Sequence, residues 1–149
     1  MSNGITMTLQ NPNIYGNNYH YDSTSNQSYL KAPNNITTAN IYEANGNPGN
    51  TGEILKAISF VFYDTNLNYS IQIYKNLTDY SIPDSGTAML EKPVTNCTRY
   101  AGIHTINLEQ YLFLEEGCTF SIFVTFVSEN LSIIRIVSER NSDYGWIRF

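Results

Sequence analysis

An all-β fold, a two-sheet antiparallel β-sandwich of jelly-roll type, is predicted by three features of the sequence. Helix formers are scarce, with six Ala and four Lys, whereas 12 Tyr, 7 Phe and many Ile and Thr suit a pleated, half-buried surface. Apolar and polar residues alternate with period two in several segments, and a helical period is found in none. Turn residues punctuate those segments at short intervals. At 149 residues the chain can bury about 70% of its unfolded surface in one domain.

Residues 1–18 hold five Asn, two Gly and few large apolar groups, so an arm, flexible or an edge strand, precedes a domain over residues 19–149. A strand is suggested at residues 37–43. Residues 44–52, Ala-Asn-Gly-Asn-Pro-Gly-Asn-Thr-Gly, can bury almost nothing and read as an exposed loop. Residues 54–63 are apolar at nearly every position after Lys56, as in a central strand covered on both faces. After the turn Asp64-Thr65-Asn66, residues 69–74 place Tyr69, Ile71 and Ile73 on one side and Ser70, Gln72 and Tyr74 on the other. Pro83-Asp84-Ser85-Gly86 is a second turn, followed by weaker strands at residues 88–92 and 103–108. Glu115-Glu116-Gly117 leads into residues 120–126, where Phe120, Ile122, Val124 and Phe126 alternate with Ser121, Phe123 and Thr125. Weaker strands at residues 132–137 and 144–149 complete the set. Segments 54–63, 69–74 and 120–126 should supply most of the core. No internal repeat is present.

Thirteen acidic residues against eight basic ones leave a net charge of -5, so no positive field draws phosphates and nucleic acid is not an expected partner. The longest apolar run, residues 120–127, is broken by Ser121 and Thr125 and falls short of the ~20 residues of a membrane helix. Membrane insertion is not expected. Residues 1–4, Met-Ser-Asn-Gly, carry neither the basic nor the apolar region of a secretory signal, so either the protein stays inside the cell or an export signal lies outside this sequence. Cys97 and Cys118 fit no metal-ligand spacing and read as free or buried thiols; a bridge would close a loop of about 20 residues and add ~3 kcal/mol. Sequons begin at Asn26, Asn35, Asn68, Asn76, Asn96 and Asn130, as chance supplies in so Asn-rich a chain.

Catalysis finds little support. His20 and His104 are the two imidazoles, and neither accompanies a nucleophile elbow or a papain-type cysteine segment. His104, between Gly102-Ile103 and Thr105-Ile106 at the start of a strand, is expected to satisfy backbone groups. The carboxylates of Asp64, Asp79, Asp84, Glu115, Glu116 and Asp143 fall in turns, where solvated acids ordinarily sit. Gly46, Gly49 and Gly52 precede no helix and form no phosphate cradle. No enzyme activity is predicted.

Aromatic residues are the excess that bears on binding. Tyr15, Tyr19, Tyr21 and Tyr29 crowd the N-terminal segment, and Tyr144 and Trp146 lie near the other end. Rings of this kind stack on sugars or cap the open edges of a sandwich. Tyr19, Tyr21, Tyr144 and Trp146 are the candidate ligand-binding residues, with Asn side chains supplying hydrogen bonds to hydroxyls. A structural calcium ion is a second expectation, with Asp22, Asn40 and Glu43 as candidates only because they flank strand ends; each reads first as an ordinary turn or strand residue. No other cofactor is expected.

An ordered set of segments carries a family resemblance: Tyr19-His20-Tyr21-Asp22, Ala39-Asn40-Ile41-Tyr42-Glu43-Ala44, Glu53-Ile54-Leu55-Lys56-Ala57-Ile58-Ser59-Phe60, Tyr69-Ser70-Ile71-Gln72-Ile73-Tyr74-Lys75-Asn76-Leu77, Pro83-Asp84-Ser85-Gly86, Gly102-Ile103-His104-Thr105-Ile106-Asn107-Leu108 and Glu116-Gly117-Cys118-Thr119-Phe120-Ser121-Ile122. Over residues 19–138 the chain resembles the lectin-like domain that follows the papain-type domain of clostridial and related surface cysteine proteases. The resemblance implies a noncatalytic β-sandwich module, extracellular or at the cell surface, with a glycan or cell-wall polysaccharide and a parent protease domain as partners. It also implies structural calcium in some members, without assigning ligands here. No cysteine or histidine matches the papain catalytic positions, the loop over residues 45–52 is longer than usual, and Cys118 stands where a polar or small residue is typical. A spacer between protease and cell-wall anchor, with no ligand of its own, is the alternative function.

Overall fold

A computed structural model describes residues 27–45, 49 and 51–139. Among the described residues there is no helix. The strands are β1 (Gln27–Pro33), β2 (Asn35–Glu43), β3 (Gly52–Phe62), β4 (Leu67–Lys75), β5 (Thr87–Ala88), β6 (Val94–Thr98), β7 (Gly102–Glu115), β8 (Thr119–Val127) and β9 (Ile133–Glu139). They form two antiparallel sheets, one ordered β1-β9-β3-β7 and the other β2-β8-β4, with β5 and β6 both pairing with β4 along its far edge.

Period-two alternation sets which side chains meet. On β4, Leu67, Tyr69, Ile71 and Ile73 are buried while the residues between them are partly exposed. They share one core with Val124 and Phe126 of β8 and, from the other sheet, with Ala32, Ile58, Leu108, Leu112 and Ile134. Phe60 of β3 meets Phe126 of β8 edge-to-face at 6.3 Å, a direct contact between the sheets. A second cluster closes one end: Phe120 is fully buried with Ala44 and Leu114, and its ring stacks on Tyr42 at 5.5 Å.

Several expectations need correction. β3 is not covered on both faces: Ile54 and Ser59 are exposed, Ile54 lies opposite the exposed Phe113, and pairing with β9 is a single bridge, Phe62 to Ile136. The loop over residues 44–52 is not wholly solvated, because Ala44 is buried and its N–H donates to the Cys118 carbonyl at 2.9 Å. The strand expected at residues 88–92 ends at Ala88, and pairing with β4 resumes only at Val94. In that gap the Gln72 side chain replaces a strand partner: its Oε1 accepts the Leu90 N–H at 3.2 Å and its Nε2 donates to the Leu90 carbonyl at 3.0 Å. β1 and β6 lacked a clear alternating signal. Residues 1–18 and 144–149 lie outside the described residues.

Asp64, expected to be a solvated turn carboxylate, is 8% exposed. Its oxygens accept the Arg135 backbone N–H at 2.6 Å and Nε–H at 2.8 Å, and Nη2 lies 2.7 Å away. Arg135 Nη2 also donates to the Tyr63 carbonyl at 3.0 Å. This charge-assisted set ties the β3–β4 turn to β9, where the backbone pairing between β3 and β9 is a single bridge.

Gly52 is conformationally ordinary but sterically confined. A Cβ there would come within 2.4 Å of the Leu114 carbonyl oxygen and 2.5 Å of the Phe113 ring. Gly52→Ala is therefore expected to lose about 1–3 kcal/mol, the usual cost of overpacking. Thermal unfolding would check this, and an unchanged melting temperature would show that the strand end yields freely.

Candidate functional site

The outward face of the second sheet is built from the alternate residues its core pattern leaves over. Because Tyr69, Ile71 and Ile73 of β4 and Val124 and Phe126 of β8 point into the core, Asn68, Ser70, Gln72 and Tyr74 and Thr125, Phe123 and Val127 belong to the opposite face. Strand register arranges them in rungs: Asn35, Val127, Asn68 and Cys97; then Thr37, Thr125, Ser70 and Thr95; then Ala39, Phe123 and Gln72. None of these side chains is charged.

The first two rungs form an open depression of about 450 Å³, lined by Asn68, Ser70, Thr95, Cys97, Thr125 and Val127 together with the intervening Tyr69 and Asn96. Its lining presents more carbon than polar surface, with hydroxyl and amide groups between methyl groups. Thr125 Oγ1 is joined to Thr37 Oγ1 at 2.8 Å. Among the described residues no side-chain hydrogen bond engages Asn68, Ser70 or Thr95. Phe123 of the third rung meets Tyr74 of the next rung edge-to-face at 5.8 Å, both half-buried.

A loop over residues 76–86 walls the far end of this face. Ser121 Oγ donates to the Pro83 carbonyl, and Ser121, which pairs with Tyr74, is buried. The loop is braced by Asp79, whose Oδ1 accepts the Ser81 N–H at 2.8 Å and hydroxyl at 2.6 Å. Ser85 Oγ donates to the Asp79 carbonyl at 3.0 Å and accepts the Asp79 N–H at 3.0 Å. The Ser81 hydroxyl and amide hold the Asp79 carboxyl below the usual carboxylate range. Where the loop leaves β4, the Leu77 N–H donates to Thr119 Oγ1 at 3.1 Å. Tyr80 and Ile82 remain exposed on the loop.

The two thiols differ. Cys97 is exposed at the depression and Cys118 is half-buried; both are free. Burial pushes the Cys118 thiol pKa up, and the Glu115 carboxylate adds to the shift. Glu115 is itself held low, first by its own backbone amide and then by Lys75, whose Nζ lies 3.3 Å away.

The ligand candidates Tyr19, Tyr21, Tyr144 and Trp146 lie outside the described residues, as do His20 and Asp22. Asn40 and Glu43 are exposed but sit three positions apart on β2, on opposite faces. Among the described residues no three of His, Cys, Asp and Glu converge as metal ligands. His104 Nε2 contacts the Tyr100 carbonyl at 2.8 Å, the backbone role its sequence setting implies. Sequence reasoning looked for aromatic residues and passed over the depression. Its only signal was the run of small polar residues at the outward positions of β4, β6 and β8, which looks like any solvated strand face.

Among the described residues no helix is long and apolar enough to cross a membrane. No curated protein sequence matches the chain. Among solved structures, a clostridial cysteine protease, Cwp84, determined after propeptide cleavage, is similar in fold, with a TM-score of 0.56 at 15% identity. The likeness covers 78% of this chain and 27% of the protease chain. The chain thus corresponds to about a quarter of that protein's length. The family described as the lectin-like domain matches residues 18–145, nearly the whole sequence, and the chain belongs to that family.

Proposed function

We propose that this lectin-like domain is a noncatalytic recognition module for carbohydrate, acting outside the cell or at its surface and joined in its parent protein to a cysteine protease. The observation that carries the reading is the uncharged depression on the second sheet. Unengaged Asn68, Ser70 and Thr95 lie between apolar groups, and the Phe123–Tyr74 ring pair stands on the same face. A pyranose presents hydroxyls around its rim and C–H groups on its faces, so it is complementary to such a surface. The fold likeness to one part of Cwp84 supports attachment to a protease. Strand orders β1-β9-β3-β7 and β2-β8-β4 followed by β5 and β6 support the jelly-roll form of a β-sandwich.

Pull-down on bacterial cell-wall polysaccharide is expected to saturate, and Asn68→Ala combined with Ser70→Ala is expected to weaken it about tenfold or more, the loss of two polar contacts. Equal retention of the variant would remove this face from the reading. No saturable retention of the parent protein would leave the spacer function in its place.

A further inference from the structure

We infer that this face takes an uncharged, linear oligosaccharide laid along β4 and β8, longer than one sugar unit, with one end stopped at the loop over residues 76–86. The inference rests on the carbohydrate reading above and adds the charge, shape and direction of the ligand.

Charge comes first. From the rung of Val127 to the rung of Phe123 every outward side chain is neutral, and the lining of the depression holds no Asp, Glu, Lys, Arg or His. On the same face of β2 the first charge is Glu43, at the far end of the strand. A sugar acid would meet no cation here and would approach a protein of net charge -5. An amino sugar would meet no counter-charge among these rungs. A neutral chain needs neither.

Direction comes from register. Val127 and Phe123 are four residues apart on β8, so the neutral strip between them runs about 13 Å along the strand, longer than a single pyranose. The depression lies at one end of the strip and the Phe123–Tyr74 ring pair at the other. One sugar cannot use both. A chain aligned with the strands places polar contacts at Asn68, Ser70 and Thr95 and a stacking contact at Phe123.

The stop comes from the loop. Ser121 is buried beneath the Pro83 carbonyl one rung beyond Phe123, so a chain advancing along β8 meets the loop there. Asp79, Ser81 and Ser85 hold that loop in shape before any ligand arrives. Among the described residues no loop is hydrogen-bonded across Asn68 or Val127 at the opposite end, and the ligand extends outward from there.

Cys97 provides a readout independent of affinity. It is exposed in the lining of the depression, whereas Cys118 is half-buried with its thiol pKa raised, so a thiol reagent reacts at Cys97 first. The experiment uses the whole chain and size-fractionated neutral and acidic oligosaccharides from digested cell-wall polysaccharide. Iodoacetamide labelling of Cys97 is followed by mass spectrometry alongside calorimetric titration. Neutral fragments of three or more units should bind about tenfold more tightly than the monosaccharides and slow Cys97 labelling, with Phe123→Ala removing the length dependence. Acidic fragments that bind and protect as well as neutral ones, or monosaccharides that bind as tightly as longer chains, would overturn the inference while leaving carbohydrate recognition standing. Binding with Cys97 unprotected would place recognition elsewhere and overturn it too. No binding by any fraction would sink the carbohydrate reading itself, and this inference with it.

Discussion

Arg135→Ala is expected to cost about 3 kcal/mol of folding stability, because it strands the Asp64 carboxylate in a site that is 8% exposed. The carboxylate would lose both guanidinium contacts and keep the backbone N–H of residue 135. That loss falls where the two strands share a single bridge, so the β3–β4 turn would lose its principal tie to β9. In a chain of 149 residues a loss of this size lowers the melting temperature by roughly 6–12 °C. The double variant Asp64→Asn, Arg135→Ala should recover part of the loss. A neutral amide costs less to bury without a partner, and its oxygen can still accept the backbone N–H. Denaturant unfolding of both single variants and the double variant forms the cycle. A double variant no more stable than Arg135→Ala would mean that the carboxylate is not stranded at all.

Phe120→Ala is expected to be at least as damaging, at about 3–5 kcal/mol, the range for removing a fully buried ring. Phe120 fills the cluster with Ala44 and Leu114 and supports the Tyr42 ring. Neighbouring backbone is pinned by hydrogen bonds, from the Ala44 N–H to the Cys118 carbonyl at 2.9 Å and from the Asn76 N–H to the Thr119 carbonyl at 2.7 Å. The site therefore has little freedom to collapse into the void. Phe120→Leu keeps much of the volume and should lose far less. Equal losses for Ala and Leu would point to ring stacking on Tyr42, and not volume, as what matters.

Much of the fold was legible where burial alone decides conformation. β4 and β8 alternate because one face packs on the opposite sheet, and that pattern is written in Tyr69, Ile71 and Ile73 and in Phe120, Val124 and Phe126. β3 was misjudged because a run of apolar residues does not say which faces are covered, and Ile54 is left exposed beside Phe113. The break after Ala88 depends on Gln72, whose amide bonds to a residue 18 positions away, a contact no local pattern reveals. Asp64 misled for the same reason: its partner is 71 residues on. The candidate site was the least legible part. Asn68, Ser70, Thr95 and Thr125 are unremarkable singly, and only the register of three strands brings them together.

Between Leu55 and Ala57 on β3 one residue, Lys56, faces four on β7: Leu108, Glu109, Gln110 and Tyr111. β7 is the last strand of its sheet, with an outer edge that no strand occupies among the described residues. A straight run of 14 residues there would invite another molecule to zip on and start a fibre. The bulge divides that invitation into two short, misaligned stretches, so a newcomer aligned with one is out of step with the other.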